Sequence, residues 1–287
     1  MPDIQRVGVI GAGLMGSGIV EAAARSGFDV VVREVDESTC ARGMGRIEKS
    51  MGRAVDRGKL DAGKRDAALG RIRMTTTLND LSDRDIVIEA AVENMEIKKE
   101  VFAELDRIVP TSALLVTNSS SLSCTELGAV TSRPDKVAGL HFFNPVPVMK
   151  LVEIVRGIQT SDETMATLRT FSEQMGKTVV VAKDTPGFIV NALLVPYLVD
   201  AVRMLENGIA TREDIDTAIH LGLAHPMGPL TLLDFVGLDT TLYIADIMYE
   251  EYKDPKFAAP PLLRRMVAAG MMGRKSGRGF YDYSSGS

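Results

Sequence analysis

The sequence lacks tryptophan altogether and has only two cysteines, Cys40 and Cys124. So few cysteines fit a reducing compartment better than a disulfide framework. No uninterrupted apolar run reaches the ~18 residues that suggest a membrane span. The opening stretch MPDIQRVGVIGAG has no basic region before its apolar run, so we expect no signal peptide. These absences predict a cytoplasmic protein with no membrane partner.

Histidine is also scarce. Beyond one weak pair near residue 220, the three histidines, His141, His220 and His225, do not have the spacing of metal ligands, so we predict no metal site. The net charge of −5 gives no reason to expect nucleic acid as a partner. The chain has no G-x-S-x-G motif, and Cys124 has no histidine close to it in sequence. Both observations disfavour nucleophilic catalysis.

What is present is typical of a globular protein, with 45% apolar and 25% charged residues. At about 150 residues per domain, a chain of 287 residues predicts two domains. The first half alternates β-branched runs with helical patterns, which indicates βαβ units and a mainly parallel sheet. The predicted strands are 6–10, 29–35, 71–77, 85–92 and 112–118, and the predicted helices are 14–27, 38–60 and 94–109.

Two further strands, 136–143 and 149–155, are separated by a short proline-rich stretch. Such a connection is too short for a crossover helix, so we predict an antiparallel hairpin. A helix over 162–176 and a strand over 177–182 follow, and beyond them only helical patterns occur. The predicted helices there are roughly 189–207, 211–221, 228–252 and 260–270. We therefore predict an α/β fold with a Rossmann-type domain, 1–184, and an all-helical domain, 185–287.

The stretch GVIGAGLMGSG contains Gly11, Gly13 and Gly16 in the spacing G-x-G-x-x-G. These glycines allow a tight turn, close approach of a pyrophosphate, and packing of the next helix on the sheet. Glu34 follows Gly16 by 18 residues, where an acid bonds ribose hydroxyls. This context favours dinucleotide binding over a purely structural turn. Glu34 also favours NAD over NADP because it would repel a 2′-phosphate, although the neighbouring Arg33 weakens that argument slightly.

Polar groups also follow other strands of the predicted sheet, at the edge where ligands bind. Glu93 and Lys98 follow the fourth strand, and the hydroxyls of TNSSSLS follow the fifth. Some of these hydroxyls fit a helix cap, and others could meet a substrate oxygen. His141 and Glu153 lie in the two strands of the hairpin, where they can meet. The pair fits either a general base held by a carboxylate or a core histidine with a satisfied hydrogen bond.

Taken together, these motifs resemble the 3-hydroxyacyl-CoA dehydrogenase family along essentially the whole chain, most closely its short bacterial members. The resemblance rests on GAGLMGSGI, EAAVENMEIKK, NSSSLS, GLHFFNPVPVMKLVEI, KDTPGFIVN, HPMGPLTLLDFVGLD and GRKSGRGFYDY. It implies NAD-dependent oxidation of a 3-hydroxyacyl-CoA, with 3-hydroxybutyryl-CoA as the expected substrate, and the reverse reduction.

The resemblance also implies roles for individual residues. The implied catalytic residues are His141, Glu153, Ser120 and Asn191. The implied NAD contacts are Gly11, Gly13, Leu14, Met15, Gly16, Glu34, Glu93, Lys98, Asn118, Asn144 and Lys275. The implied CoA contacts are Ser50, Arg53, Arg57 and Lys59.

Two alternative functions stay open at this stage. One is a related NAD dehydrogenase that acts on a free hydroxy acid or sugar acid, which basic residues facing the cleft from 38–60 would disfavour. The other is a non-catalytic Rossmann protein, which the presence of both His141 and Glu153 disfavours. The apolar helical segments after residue 188 exceed what one helical layer can bury, so we also expect a homodimer built on that domain.

Overall fold

The structure is a computed structural model that describes residues 4–284. The chain separates into two compact units, with the division between Thr185 and Pro186. None of the helices within 4–284 is both long enough and apolar enough to cross a membrane.

The first unit is built on one eight-stranded sheet in the order β3-β2-β1-β4-β5-β6-β7-β8. The strands are β1 Arg6–Ile10, β2 Asp29–Arg33, β3 Ile72–Thr75, β4 Ile86–Glu89, β5 Leu114–Thr117, β6 Val137–Phe142, β7 Leu151–Arg156 and β8 Thr178–Lys183. All neighbouring strands are parallel except β6 and β7. The chain order reverses between β1 and β4, and this reversal is the switch point at which doubly wound sheets bind ligands.

Helices cover both faces of this sheet. They are α1 Leu14–Arg25, α2 Glu37–Asp56, α3 Ala62–Leu69, α4 Met95–Ile108, α5 Cys124–Ala129 and α6 Asp162–Gln174. The central strands β4, β5 and β6 are buried along their whole length. This explains why they appear in the sequence as continuous apolar runs rather than alternating ones. One core lies on the face shared by Val30 and Val32, and the other on the face of Val31.

The predicted α/β class and the antiparallel hairpin are both confirmed. β6 pairs with β7 so that His141 lies directly opposite Glu153. Lys177 stabilises the connection between the two strands, because its ammonium group donates to the carbonyl oxygens of Val146 and Met149. Burial is the main cause that lowers the pKa of Lys177, and the nearby charge of Arg25 adds to it.

Local signals explain most helix boundaries. α2 begins after Asp36, which forms a capping box with Thr39. The prediction missed α3 and α5, which are short helices capped by the side chains of Asp61 and Ser123. The hydroxyls before α5 indicate a helix cap in the sequence, but the helix that follows has only 6 residues.

The second unit is helical, as predicted. Its helices are α7 Val190–Glu206, α8 Arg212–Gly222, α9 Pro229–Val236, α10 Leu238–Tyr252 and α11 Pro261–Ala268. The single helix predicted over 228–252 was wrong, because Gly237 has a φ of 105° that ends α9 and starts α10.

After α11 the chain folds back onto the other helices of the second unit and is fixed by a buried carboxylate. Asp234, 1% exposed, accepts hydrogen bonds from the amides of Phe280 and Tyr281 and from the hydroxyl of Tyr283. A Cβ at either Gly273 or Gly279 would overlap Asp234. The packing of this segment therefore requires Gly273 and Gly279 of GRKSGRGFYDY. Burial is the main cause that raises the pKa of Asp234.

Candidate active site

The glycine turn lies between β1 and α1, at the switch point. Gly11 has a φ of 90°, and a Cβ there would lie 2.8 Å from the carbonyl oxygen of Ala90. A Cβ at Gly16 would overlap the carbonyl oxygen of Gly11. A Cβ at Gly13, in contrast, would meet nothing within 4 Å. The protein's own packing thus requires the outer two glycines, whereas Gly13 borders open space at the N-terminus of α1. This space suits the pyrophosphate of a dinucleotide.

Glu34 follows β2 and lies over this turn. Its Oε1 accepts a hydrogen bond from the amide of Ala12, which holds the carboxylate beside the glycine turn. Arg46 of α2 approaches the same residue and donates to the carbonyl oxygen of Ala12 at 3.1 Å. Arg46 was not among the predicted site residues. The only sequence signal for it is its spacing of four residues before Ser50 on one face of α2.

Arg33 belongs to the opposite side of the sheet. Side chains alternate along a strand, so Arg33 shares the face of Val31 rather than that of Val30 and Val32. Its Nε is buried and has no hydrogen-bond partner in the part of the chain that is described. The concern that Arg33 would attract a 2′-phosphate beside Glu34 therefore loses its geometric basis.

The His141–Glu153 pair forms across the hairpin. Nδ1 of His141 lies 2.7 Å from Oε2 of Glu153, and Glu153 is 0% exposed. An ionised carboxylate can only accept, so the hydrogen of neutral His141 sits on Nδ1 and the lone pair on Nε2. The carboxylate also stabilises the imidazole when it gains a second proton. This arrangement has the chemistry of a general base and acid.

The turn after β5 divides its hydroxyls between two tasks. Ser119 and Ser121 both donate to Oε1 of Glu93, and Ser123 caps α5 and donates to Asp184 at 2.7 Å. Within residues 4–284 the hydroxyl of Ser120 makes no hydrogen bond, while its amide donates to Glu93 at 3.2 Å. The serine singled out by the resemblance is thus the one whose hydroxyl is not used by the fold.

Glu93 and Lys98 lie beside this turn. The Nζ of Lys98 is 3.3 Å from Oε2 of Glu93 and is also bonded to both oxygens of Glu89, at 2.6 and 2.8 Å. Lys98 is only 1% exposed. It therefore organises the ends of β4 and β5 as well as standing near the switch point. Glu89 has no predicted role.

The remaining predicted cofactor residues of the first unit lie at the same edge of the sheet. Asn118 directly follows β5, and its Oδ1 accepts from the amide of Phe142, next to His141, at 3.0 Å. Asn144 is exposed in the connection after β6. In α1, Leu14 is 69% exposed, whereas Met15 packs against the core.

The predicted CoA residues lie on and after α2. Ser50, Arg53 and Arg57 have the spacing that places side chains on one helical face. Lys59 lies beyond the helix and lines a basic pocket with Arg25 and other cations. In the second unit, Asn191 lies half-buried in the first turn of α7, and the Nζ of Lys275 pairs with Asp239 at 2.6 Å. Over residues 4–284, no group of three or more histidine, cysteine, aspartate or glutamate side chains could hold a metal ion.

A doubly wound sheet with a glycine turn at its switch point, an acid after β2 and a paired histidine and glutamate at the same edge defines a dinucleotide-dependent dehydrogenase. Residues 6–185 match the 3-hydroxyacyl-CoA dehydrogenase NAD binding domain, and residues 187–283 match the C-terminal domain of the same enzymes. The chain belongs to the 3-hydroxyacyl-CoA dehydrogenase family, and it is an NAD-dependent oxidoreductase of 3-hydroxyacyl-CoA. This confirms the function and the cofactor predicted from the sequence.

Named relatives support the same assignment over nearly the whole chain. A 3-hydroxybutyryl-CoA dehydrogenase of Mycobacterium tuberculosis is 56% identical over 98% of this chain and 99% of the relative. The crystal structure of M. tuberculosis FadB2 is 55% identical, covers 98% of this chain and 100% of its own, and has a TM-score of 0.97. The crystal structure of (S)-3-hydroxybutyryl-CoA dehydrogenase PaaH1 from Ralstonia eutropha is 45% identical, covers 99% of this chain and 100% of its own, and has a TM-score of 0.94.

Proposed function

We propose that this enzyme acts on short-chain (3S)-3-hydroxyacyl-CoA, with 3-hydroxybutyryl-CoA as its main substrate, and reduces the 3-ketoacyl-CoA in reverse. The names of relatives at 56% and 45% identity support this chain length and this stereochemistry. The observation that carries the chemistry is the 2.7 Å contact between His141 Nδ1 and Glu153 Oε2.

In the oxidation, the Nε2 lone pair of His141 takes the proton of the 3-hydroxyl group. Bound NAD supplies a hydride acceptor, a chemistry that protein side chains lack. Glu153 keeps the imidazole in the required tautomer and stabilises the imidazolium that forms. In the reduction, the imidazolium of His141 returns its proton to the substrate oxygen. Imidazole suits both directions because Nε2 can take up a proton and give it back while Nδ1 stays bonded to Glu153.

The family resemblance also assigns substrate contacts to Ser120 in the first unit and to Asn191 in the second. The hydroxyl of Ser120 donates to the reacting oxygen, which is supported by its lack of any hydrogen bond among the described residues. Asn191 holds the substrate through its amide, a role that rests on the family resemblance. We propose that the first unit binds the cofactor and that the second unit contributes to substrate binding and forms the dimer.

The proposed NAD site follows the edge of the sheet. The glycine turn and the N-terminus of α1 receive the pyrophosphate, and Glu34 accepts from the ribose. The other proposed contacts are Leu14, Met15, Glu93, Lys98, Asn118, Asn144 and Lys275.

The proposed CoA site uses Ser50, Arg53, Arg57 and Lys59, whose positive charges suit CoA phosphates. Neutralising the three cations should raise KM for the thioester, because binding is lost at a place remote from the reacting carbon. KM for NADH should stay unchanged, because the three cations are not among the proposed NAD contacts. Unchanged KM for the thioester in the triple variant would place CoA elsewhere.

We further propose a homodimer formed through the second unit, in the cytoplasm. Large apolar side chains of that unit are exposed, including Leu193, Leu221 and Leu223 at 73%, 72% and 60%. A contiguous patch of exposed apolar side chains marks an association surface, and we propose that these leucines belong to such a patch. Both cysteines are free and buried, which suits a reducing compartment. Light scattering at micromolar protein should give twice the mass of one chain, and a stable monomer would contradict the dimer.

The substrate proposal is tested with acetoacetyl-CoA, longer 3-ketoacyl-CoAs and free acetoacetate, each assayed with NADH. The expected result is the highest kcat/KM for acetoacetyl-CoA. If free acetoacetate is reduced with similar kcat/KM, the enzyme acts on free acids and the CoA proposal is wrong.

A further inference from the structure

Glu89, the last residue of β4, is a buried carboxylate to which neither the sequence nor the proposed mechanism gives a role. It is 0% exposed and accepts four hydrogen bonds. Oε1 accepts from the amide of Ala91 at 2.7 Å, both oxygens accept from Lys98, and Oε2 accepts from the hydroxyl of Thr117 at 2.7 Å. A buried ion pair can often be replaced by apolar residues without loss of stability. Stability alone therefore does not explain why charges occupy this position.

The first connection from Glu89 to the serine turn runs through Lys98. Lys98 is held by Glu89 and presents its charge to Oε2 of Glu93 at 3.3 Å. The other oxygen of Glu93 accepts from the hydroxyls of Ser119 and Ser121 and from the amide of Ser120. Glu93 thus accepts hydrogen bonds from three consecutive residues of the turn, and Lys98 orients the carboxylate of Glu93.

The second connection runs through Thr117. Its hydroxyl donates to Glu89 and accepts from the amide of Ser119 at 3.1 Å. Since the hydroxyl hydrogen is used by Glu89, the lone pair of the oxygen is directed to Ser119. Two routes therefore lead from one carboxylate to the same turn. One runs through the Lys98–Glu93 ion pair to residues 119–121, and the other runs through the hydroxyl of Thr117 to the amide of Ser119.

We propose that Glu89 is a positioning residue of the dehydrogenase reaction, which acts through Lys98, Glu93 and Thr117 to hold the turn of residues 119–121 so that the hydroxyl of Ser120 meets the substrate oxygen. The inference rests on the role proposed above for Ser120. Glu89 itself touches neither substrate nor reacting atoms. Its contribution is geometric, and a misplacement of about 1 Å in such a group can cost about 10²-fold in rate.

The test is a double-mutant cycle between Glu89→Gln and Ser120→Ala, with kcat for acetoacetyl-CoA measured at saturating NADH. In the wild-type background, Glu89→Gln should lower kcat by about 10–100-fold. In the Ser120→Ala background the same change should cost less than about threefold, because the hydroxyl that Glu89 positions is already absent. NADH affinity, measured by fluorescence, shows separately any effect through the proposed cofactor contacts Glu93 and Lys98.

A matched control and a milder variant keep the test independent of folding. Glu96→Gln also neutralises a carboxylate paired with a lysine of α4, Lys99 at 3.3 Å, but Glu96 is exposed, so kcat should be unchanged. Thr117→Val removes only the second connection and should give a smaller loss that also vanishes in the Ser120→Ala background. Thr117→Ser restores the hydroxyl and should restore kcat. If Glu89→Gln does not fold, the Thr117 cycle decides the question.

The outcomes separate this inference from the proposed function. If Ser120→Ala alone leaves kcat unchanged, the role of Ser120 fails, and the inference falls with it. Suppose that Ser120→Ala lowers kcat, and that Glu89→Gln and Thr117→Val each cost the same fold-loss in kcat in the Ser120→Ala background as in wild type. The proposed function then stands, Glu89 has a merely structural role, and the inference is overturned.

Discussion

Replacement of His141 by glutamine tests the acid–base pair most directly. Glutamine has a similar reach and can still donate to the buried Glu153, so the hairpin should form, but its amide cannot accept a proton at neutral pH. Loss of a positioned acid–base group typically lowers the rate by ~10²–10⁴-fold, or about 2.7–5.4 kcal/mol in the activation free energy. We expect kcat with acetoacetyl-CoA to fall within this range.

Glu153→Gln should also lower kcat severely, for a structural reason. The carboxylate lies 2.7 Å from Nδ1 and can only accept, which fixes one tautomer of the imidazole. A neutral amide can turn its NH₂ toward Nδ1, which places the imidazole hydrogen on Nε2 and removes the base. Because the two groups act together, the double variant should be within about threefold of the worse single variant.

The assay combines kcat with NADH affinity by fluorescence and with the thermal midpoint of each variant. NADH binding should survive, since neither replacement touches the glycine turn or Glu34. His220→Gln is the matched control, because His220 is exposed and its ring is hydrogen-bonded to the carbonyl of His225, remote in sequence from the hairpin. If a folded His141→Gln variant keeps more than about a tenth of wild-type kcat, His141 is a core histidine and the mechanism fails.

Three further predictions follow from single contacts. Wild type should strongly prefer NADH to NADPH. Glu34→Ser should narrow that preference and raise the affinity for 2′,5′-ADP, measured by calorimetry, because Arg46 becomes available to a 2′-phosphate. Adding Arg46→Gln to this variant should cancel the gain in affinity. Similar kcat/KM for both cofactors in wild type would refute the role of Glu34. Burial is the main cause that raises the pKa values of Cys40 and Cys124, so neither thiol should react with iodoacetamide in the native protein, and rapid labelling would contradict their placement. Lys177 has a lowered pKa, so the folded state loses this proton at lower pH than the unfolded state. The free energy of unfolding by urea should therefore rise, relative to that of Lys177→Met, as pH increases toward 10.5. A difference between the two proteins that stays constant with pH would argue against the lowered pKa.

The parts of the fold that were predictable from sequence are those with a local cause. The glycine spacing fixed β1, the turn and α1, and the short proline-rich connection required β6 and β7 to be antiparallel. The pairing of His141 with Glu153 could be anticipated because they lie in the two strands of that hairpin.

The parts that sequence patterns missed depend on contacts between distant residues or on short elements. α3 has 8 residues and only one buried side chain, so it has almost no apolar periodicity to detect. Glu89, Lys98 and Thr117 meet across separations of 9 and 28 residues, and no spacing rule connects them. Arg46 reaches Ala12 only because α2 packs closely on the turn, where a Cβ at Gly43 would lie 2.5 Å from that of Ala12.

The segment fixed by Asp234 bears on how the second unit exchanges hydrogen with solvent. Phe280 and Tyr281 lie outside any helix or strand, a position at which amides normally exchange rapidly through local fraying. Their amide hydrogens are instead bonded to a carboxylate in the helical core, 46 and 47 residues away in sequence. Deuterium can replace them only when Asp234 is released, so their protection factors should match those of α9 rather than those of a loop. Mass spectrometry of peptides that cover 278–283 would thus report the opening of the whole helical unit from a stretch that looks, in sequence, like a tail.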